Sequence, residues 1–244
     1  CARTILYAHM IGKPSYLSEE EITAFDQQLP ALLPEMDETI YSSSERAVRT
    51  EICQIVQRAC SQGLMTSSYG TISRRWEGND FLITPTDVPR WDMQPKDIVQ
   101  IKDGKREKGK LPSRSTHLHQ LIYETHPEIN SIILTQTPYL MAFAASDAVF
   151  NVRTIPESWI FLQDVYTVPF GGQFNGSLMI PEMLSKNSPA LLVKNDCAIV
   201  TGDKLLQTFD YLEVAEFSAK SLIMSASLGQ LVPINDEQVS ELRA

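Results

Sequence analysis

In the first half of the chain, the spacing of apolar residues changes from helical to alternating. Residues 45–62 follow a capping box, carry apolar side chains at helical spacing and end before a glycine, so they predict an amphipathic helix. The stretches 70–76 and 80–84 alternate on either side of a short turn, which predicts a β-hairpin, and 98–102 predicts a third strand. This pattern favours a mostly antiparallel sheet.

The rest of the chain adds helices and strands in loose alternation. Predicted helices lie at about 19–29, 114–125, 138–145, 177–187 and 204–227, and predicted strands at 129–135, 167–170, 190–194 and 198–201. The remainder of 147–176 is predicted to be irregular. We expect one α/β domain over residues 45–244, with helices flanking the sheet, and an N-terminal helical extension over residues 1–44.

The charge of the chain is acidic but uneven. Its 244 residues include 21 Lys and Arg against 30 Asp and Glu, a net charge of −9. This balance argues against a general nucleic-acid binder. Residues 70–115 nevertheless hold ten basic and seven acidic residues. That stretch could attract a small anion such as phosphate, or it could be a solvated basic hairpin.

Cysteine usage and hydropathy predict where the protein works. The four cysteines form no CxxC pair and no disulfide framework, and we expect Cys53 and Cys60 to be core residues on one helix face. The sequence has neither an apolar run of membrane-spanning length nor an opening signal-peptide pattern. We therefore expect a cytoplasmic protein without a membrane partner, and we interpret the start at Cys1 as a processed or excised end.

The residues taken alone offer no familiar catalytic motif. The histidines lack the spacing of a zinc site, and His117 and His119 should point to opposite sides of their predicted helix. There is no nucleophile elbow and no P-loop. Three hydroxyl-bearing clusters could hold a phosphate: Thr71 with Ser73, residues 84–86, and Ser113 with Arg114 at a helix start. The same residue types also make turns and caps, so both interpretations stay open.

The order and spacing of short motifs carry more information than any single one. In chain order they are Arg49-Thr50-Glu51, Gly63-Leu64, Gly70-Thr71-Ile72-Ser73-Arg74, Leu82–Asp87, Asp97-Ile98-Val99, Asp103-Gly104, Lys110–Ser115, His119, Ile122-Tyr123, Ser131–Pro138 and Leu191–Gly202. The series resembles the class II aldolase/adducin family over about residues 45–228.

This resemblance implies a fold, an assembly and a chemistry. The fold is a three-layer α/β/α domain with a central, mainly antiparallel sheet. The family usually forms homotetramers with active sites between subunits. Its enzymes are aldolases, epimerases and dehydratases that act on phosphorylated sugars. They use zinc or a similar ion, held by three histidines, to stabilise an enediolate, and a glutamate acts as ligand or acid/base.

The chain departs from the family at the residues that carry this chemistry. Leu134 and Gln136 stand where the resemblance implies a His-x-His pair, and Asp196 stands where it implies the third histidine. Ser115 occupies the position of the glutamate. Since leucine cannot bind a metal and the other two positions offer only oxygen donors, we expect no zinc or other divalent cofactor.

The phosphate loops of the family are altered as well. By resemblance, the phosphate-binding positions are Thr71, Thr86, Ser113 and Arg114. The same resemblance implies an asparagine at Thr71 and a second serine at Arg114, and the charge of Arg114 should attract a phosphate. Asp87 replaces a glycine, and its charge should oppose one. The cleft is thus expected to take an anion, although not in the usual way of the family.

Two hypotheses about function follow, and a third concerns the extent of the gene product. The first is a domain that has lost metal-dependent aldol chemistry and serves in binding, regulation or assembly. It would form a homo-oligomer and bind a phosphorylated sugar or another small anion. The alternative is an active aldehyde-lyase, epimerase or dehydratase with a rebuilt site, in which Asp196 is the base and Arg114 clamps the anion. Other candidates for such a site are His119, Tyr123 and Lys194. The third is that the chain is one half of a tandem protein.

Overall fold

The computed structural model describes residues 2–27, 32–38, 41–174, 176–229 and 231–242. The α-helices are Ala2–Ile11 (α1), Glu19–Gln27 (α2), Ser43–Ser61 (α3), Thr116–Thr125 (α4), Leu140–Ala144 (α5), Pro156–Leu162 (α6), Met179–Met183 (α7), Leu205–Ser225 (α8) and Asp236–Leu242 (α9). The β-strands are Thr71–Glu77 (β1), Asp80–Ile83 (β2), Val99–Lys102 (β3), Lys105–Arg106 (β4), Ser131–Thr135 (β5), Tyr166–Val168 (β6), Ala190–Val193 (β7) and Cys197–Gly202 (β8).

The strands of the described residues form one eight-stranded sheet in the order β4-β3-β2-β1-β5-β8-β7-β6. Among these strands only β6 and β7 run parallel, and the remaining neighbours are antiparallel. The prediction of a mainly antiparallel sheet is therefore confirmed. Short hairpins such as β1–β2 account for much of it, because they return the chain without a crossover.

Helices cover both faces of the sheet, so the molecule has the three predicted layers. Helices α1, α3, α5, α6, α8 and α9 contribute to the core on one face, whereas α4 and α7 pack on the other. Strand β5 serves both sides, since Ile133 lies in the first core and its neighbours Ile132 and Leu134 lie in the second. That alternation follows from the two-residue period of a strand.

The predicted helix ends have the expected local chemistry. Ser42 caps α3 by accepting a hydrogen bond from the backbone N–H of Glu45 at 3.0 Å. Gly63 follows this helix with a φ of 73°, the left-handed conformation that commonly ends a helix. At α2, the backbone N–H of Ser18 donates to Glu21 and the backbone N–H of Glu21 donates to the Ser18 hydroxyl, which completes the predicted capping box. Residues 28 and 29 of that predicted helix lie outside the described residues.

Several elements differ from the prediction. Helix α6 lies within the stretch that was predicted to be irregular, where Pro156 begins the helix and Trp159 is buried. The short β4 and the C-terminal α9 were also missed. These elements are short, so a periodic pattern has too few residues to be recognised. The division into an extension and a domain at residue 44 stays a prediction.

Candidate functional site

A cleft lies where three segments of the fold meet at one end of the sheet. Thr71, the first residue of β1, pairs with Leu134 near the end of β5, and β8 begins beside that end. The loop before α4 completes the wall. The residues that line the cleft are Ser68, Tyr69, Gly70, Thr71, Thr86, Arg90, Ser113, Arg114, Ser115, Leu134, Gln173, Phe174 and Asp196.

One wall of the cleft is a row of hydroxyl groups. Thr71 Oγ1 lies 2.7 Å from Ser113 Oγ, which in turn lies 3.1 Å from Ser115 Oγ. Ser115 is the N-cap of α4, so the row stands where backbone N–H groups of the helix have no partner within the helix. Hydroxyl donors at a helix N-terminus favour an anion, because the helix dipole is positive there.

A second part of the lining carries a buried carboxylate, that of Asp196. Tyr69 donates its hydroxyl to Oδ1 at 3.3 Å, and the amide of Gln173 donates to Oδ2 at 2.5 Å. Burial raises the pKa of Asp196, and hydrogen bonds from Cys197, Tyr69 and Gln173 together with the charge of Arg114 offset part of that effect. The carboxylate is thus fixed in position and lies within the electrostatic reach of Arg114.

The turn that presents Asp196 is held from outside the sheet. Gln136 donates its amide N–H to the backbone carbonyl of Asp196 at 2.6 Å. The preceding Asn195 adopts a φ of 57°, a left-handed conformation that asparagine tolerates. Its side chain donates to the backbone carbonyl of Ser15 at 2.8 Å and accepts from the Ser15 hydroxyl at 3.0 Å. The segment before α2 therefore helps to position the turn.

The residues at the predicted metal positions do not fit a divalent ion. Leu134 contributes an apolar side chain, Gln136 spends an amide N–H on the backbone, and the Asp196 carboxylate accepts from two neighbours. Within the described ranges, no group of three or more His, Cys, Asp and Glu side chains is placed to hold a metal. A zinc site needs three or four such ligands.

The structure brings together most, but not all, of the site residues predicted from the sequence. The predicted residues that line the cleft are Thr71, Thr86, Ser113, Arg114, Ser115, Leu134 and Asp196. His119 and Tyr123 lie in the core instead, where the hydroxyl of Ser73 is 2.6 Å from His119 Nδ1 and 2.7 Å from the Tyr123 hydroxyl. The side chain of Lys194 is exposed.

The aspartate predicted to oppose an anion, Asp87, directly follows the lining residue Thr86 but is not itself a lining residue. Asp87 is exposed and has a φ of 58°, a left-handed conformation that suits the glycine which the resemblance implies at this position. The exposure of Asp87 weakens its electrostatic repulsion of an anion in the cleft, because water screens an exposed carboxylate.

Sequence reasoning missed several lining residues, chiefly Tyr69, Arg90 and Gln173. Arg90 is buried and donates to the backbone carbonyl of Gly70 at 2.9 Å, which fixes the loop that carries Tyr69. Tyr69 directly precedes the motif that begins at Gly70, and Gln173 follows two glycines within the stretch that was predicted to be irregular. The position of each residue beside glycine was the only sequence signal that could have identified Tyr69 and Gln173 as site residues.

Among the helices of the described residues, none is long and apolar enough to cross a membrane.

Comparisons with known proteins identify the family and support the fold. The model of the Class II Aldolase and Adducin N-terminal domain matches residues 50–223. The L-fuculose phosphate aldolase of Methanococcus vannielii is 28% identical over 172 residues, which are 70% of this chain and 92% of that protein. The 3-oxo-tetronate 4-phosphate decarboxylase of Cupriavidus necator is 34% identical over 101 residues, which are 41% of this chain and 46% of that protein. The solved structure of YgbL from Klebsiella pneumoniae superposes with a TM-score of 0.73 at 24% identity and covers 83% of this chain and all of that one, so it supports the fold.

Proposed function

Because the chain belongs to the class II aldolase and adducin family, we propose that it binds a phosphorylated sugar or related phosphate ester in this cleft without the metal-dependent aldol chemistry of the family. The observation that carries the proposal is the contrast between these two parts of the lining. The hydroxyl row at the start of α4 suits a phosphate, whereas Leu134 and Asp196 do not suit a metal. This contrast supports a binding or regulatory role. From the resemblance alone, we further propose a cytoplasmic homo-oligomer in which the domain can also serve in assembly.

The phosphate half of the proposal rests on donor groups among the residues that line the cleft. Thr71, Ser113 and Ser115 supply neighbouring hydroxyl groups, and the exposed Arg114 follows Ser113 in the lining. A guanidinium can form charge-assisted hydrogen bonds to phosphate oxygens, and these are roughly twice as strong as neutral ones. The relatives named for sugar phosphates make a phosphate ester the first ligand to test.

The chemical half rests on what aldol cleavage requires. Aldol cleavage leaves an enediolate, whose negatively charged oxygen needs a nearby positive charge. In this family the metal supplies that charge. Leu134 offers no such charge, and Asp196 would bring a negative charge toward a developing oxyanion. We therefore expect metal-dependent turnover to be lost even though the ligand binds.

Asp196 also provides the observation that favours a second candidate function. Its carboxylate is buried beside Tyr69, and burial raises its pKa, which brings the group closer to the range of a useful acid or base. In that alternative, Asp196 moves a proton while Arg114 holds the phosphate. The protein would then be a metal-independent lyase, epimerase or dehydratase.

Calorimetric titration with L-fuculose 1-phosphate and with inorganic phosphate tests the binding half. We expect Ser113→Ala and Arg114→Met each to weaken binding by about tenfold or more, since each removes a contact to the phosphate. Exposed Ser61 on α3 and exposed Arg46 provide the matched controls Ser61→Ala and Arg46→Met. Equal affinity in site and control variants would contradict the proposed cleft.

Release of aldehyde from L-fuculose 1-phosphate tests the chemical half. We expect no release above the buffer rate, with or without added zinc. Release that persists in a chelator and disappears in Asp196→Asn would instead establish the alternative function.

A further inference from the structure

The side-chain amide of Gln173 has a hydrogen-bond partner at its nitrogen but, within the described ranges, none at its oxygen. The side chain lines the cleft and is 4% exposed. Its Nε2 donates to Asp196 Oδ2 at 2.5 Å, whereas its Oε1 has no hydrogen-bond partner among the described residues. A buried acceptor without a partner destabilises the folded chain, so the protein gains stability if a ligand supplies a donor.

The carboxylate of Asp196 fixes which way the amide of Gln173 points. A carboxylate only accepts hydrogen bonds, so the NH₂ group must face Asp196 and the carbonyl oxygen must face away. The Tyr69 hydroxyl also donates a hydrogen bond to this carboxylate, at 3.3 Å. Gln173 and Asp196 therefore present acceptors to the cleft, whereas Ser113 and Arg114 carry donor groups.

We infer that Gln173 and Asp196 form a subsite that recognises hydroxyl groups, so that the cleft prefers an alditol phosphate to a ketose phosphate or a phosphorylated acid. The inference rests on the proposed function, because it takes the phosphate to lie on the wall of Ser113 and Arg114. The carbon chain then extends toward Gln173 and Asp196, and its hydroxyl groups donate to the unmatched oxygen and to the carboxylate.

The chemistry of the competing ligands explains the selectivity. A ketone oxygen only accepts hydrogen bonds, so it leaves Gln173 Oε1 unmatched and faces the lone pairs of Asp196. A ligand carboxylate adds repulsion between two negative charges in a partly desolvated site. Leu134, on the same surface, offers neither ligand a compensating donor.

Three phosphates of three carbons test the inference at nearly constant size. sn-Glycerol 3-phosphate carries hydroxyl groups, dihydroxyacetone phosphate carries a ketone at the central carbon, and 3-phosphoglycerate carries a carboxylate at the far end. Calorimetry on the full chain should give sn-glycerol 3-phosphate an affinity about tenfold or more above each of the other two. Affinities within threefold of one another, or tighter binding of either competitor, would overturn the inference.

A substitution at Gln173 assigns the preference to this residue. Gln173→Met keeps the length of the side chain and removes both polar atoms, so we expect the preference for sn-glycerol 3-phosphate to fall to about threefold or less. Inorganic phosphate should bind as in the unsubstituted protein, which also reports that the variant folds. The exposed Gln207 on α8 provides the control Gln207→Met, which should keep the full preference. An unchanged preference in Gln173→Met would overturn the role of this residue.

The outcomes separate this inference from the proposed function. If inorganic phosphate binds and Ser113→Ala weakens it while the three esters bind alike, only the subsite is wrong. If neither inorganic phosphate nor any ester binds, the proposed function and the subsite both fail. If Gln173→Met does not fold, the comparison of the three esters on the unsubstituted protein still decides the inference.

Discussion

Ser73 Oγ lies 2.6 Å from Nδ1 of His119, and together they form a polar pair inside the core between β1 and α4. The imidazole is fully buried, and its Nε2 has no hydrogen-bond partner in the part of the chain that the structure describes. Burial lowers the pKa of His119 to about 3. The histidine is therefore neutral in the folded protein at pH values where it would be protonated in the unfolded chain.

This pair predicts how His119 contributes to acid sensitivity. Since its pKa is lower in the folded state, its contribution is full above the unfolded value near 6.5 and is lost as the pH falls toward 3. One proton corresponds to about 1.4 kcal/mol per pH unit. We expect His119→Gln to flatten the decline of unfolding free energy between pH 6 and pH 4 by up to that slope, as measured by urea denaturation.

The neighbouring histidine on the same helix provides the control. His117 is exposed, and His117→Gln removes an imidazole without disturbing the core. Its slope should match that of the unsubstituted protein. Equal slopes in His119→Gln and the unsubstituted protein would show that the buried imidazole does not drive the acid sensitivity.

A buried ion pair predicts a second effect on stability. Arg49 Nη2 lies 2.7 Å from Glu107 Oε2, and both side chains are at most 3% exposed. Glu107→Gln removes one charge and leaves the guanidinium with Glu45 as its carboxylate partner, beside its hydrogen bond to the backbone carbonyl of Ile98. We expect a loss of about 3 kcal/mol in unfolding free energy, the lower end for breaking a buried pair.

An exposed ion pair sets the scale for that measurement. Arg58 and Glu213 form a pair with side chains 43% and 29% exposed. Glu213→Gln should therefore cost less than about 1 kcal/mol in the same urea titration. If both substitutions cost the same, burial does not determine the strength of the Arg49–Glu107 pair.

The pattern of the sequence was sufficient for elements with strong local signals. Helix α3 was predicted because Ser42, Gly63 and the spacing between them each indicate the same element. Helix α6 lacks such agreement, since only Pro156 marks its start and its seven residues span two turns. Its position depends on burying Trp159, a tertiary effect that local spacing does not encode.

The cleft was predicted in part for a similar reason. Thr71, Ser113 and Asp196 were found because each belongs to a motif of the resemblance. Gln173 and Tyr69 were missed because their contacts with Asp196 join residues that lie 23 and 127 positions apart in the chain. A sequence without its fold gives no sign of those contacts.

Gly70 provides a prediction about the backbone of the cleft. Its φ is 113°, and a Cβ built there would lie 2.8 Å from a side-chain carbon of Met65. Gly70→Ala combines backbone strain with overpacking, so we expect a loss of about 3 kcal/mol in unfolding free energy. Gly78 also has a positive φ, 52°, but has nothing within 4 Å of its Cβ position. Gly78→Ala should cost only about 1 kcal/mol. Equal losses of unfolding free energy in the two variants would show that the side chain of Met65 moves aside without destabilising the protein.

The three positions at which the resemblance implies histidines give the last prediction. Gln136 directly follows β5, two residues after Leu134, and donates to the backbone carbonyl of Asp196 at 2.6 Å. After dialysis against zinc and then metal-free buffer, we expect less than about 0.1 zinc per chain in the unsubstituted protein, because its side chains supply too few ligands. The triple variant Leu134→His, Gln136→His, Asp196→His should retain about one zinc per chain, because it restores three imidazole ligands. Leu134→His alone should retain no more than the unsubstituted protein. Stoichiometric zinc in the unsubstituted protein that disappears in Asp196→Ala would contradict the loss of metal-dependent chemistry.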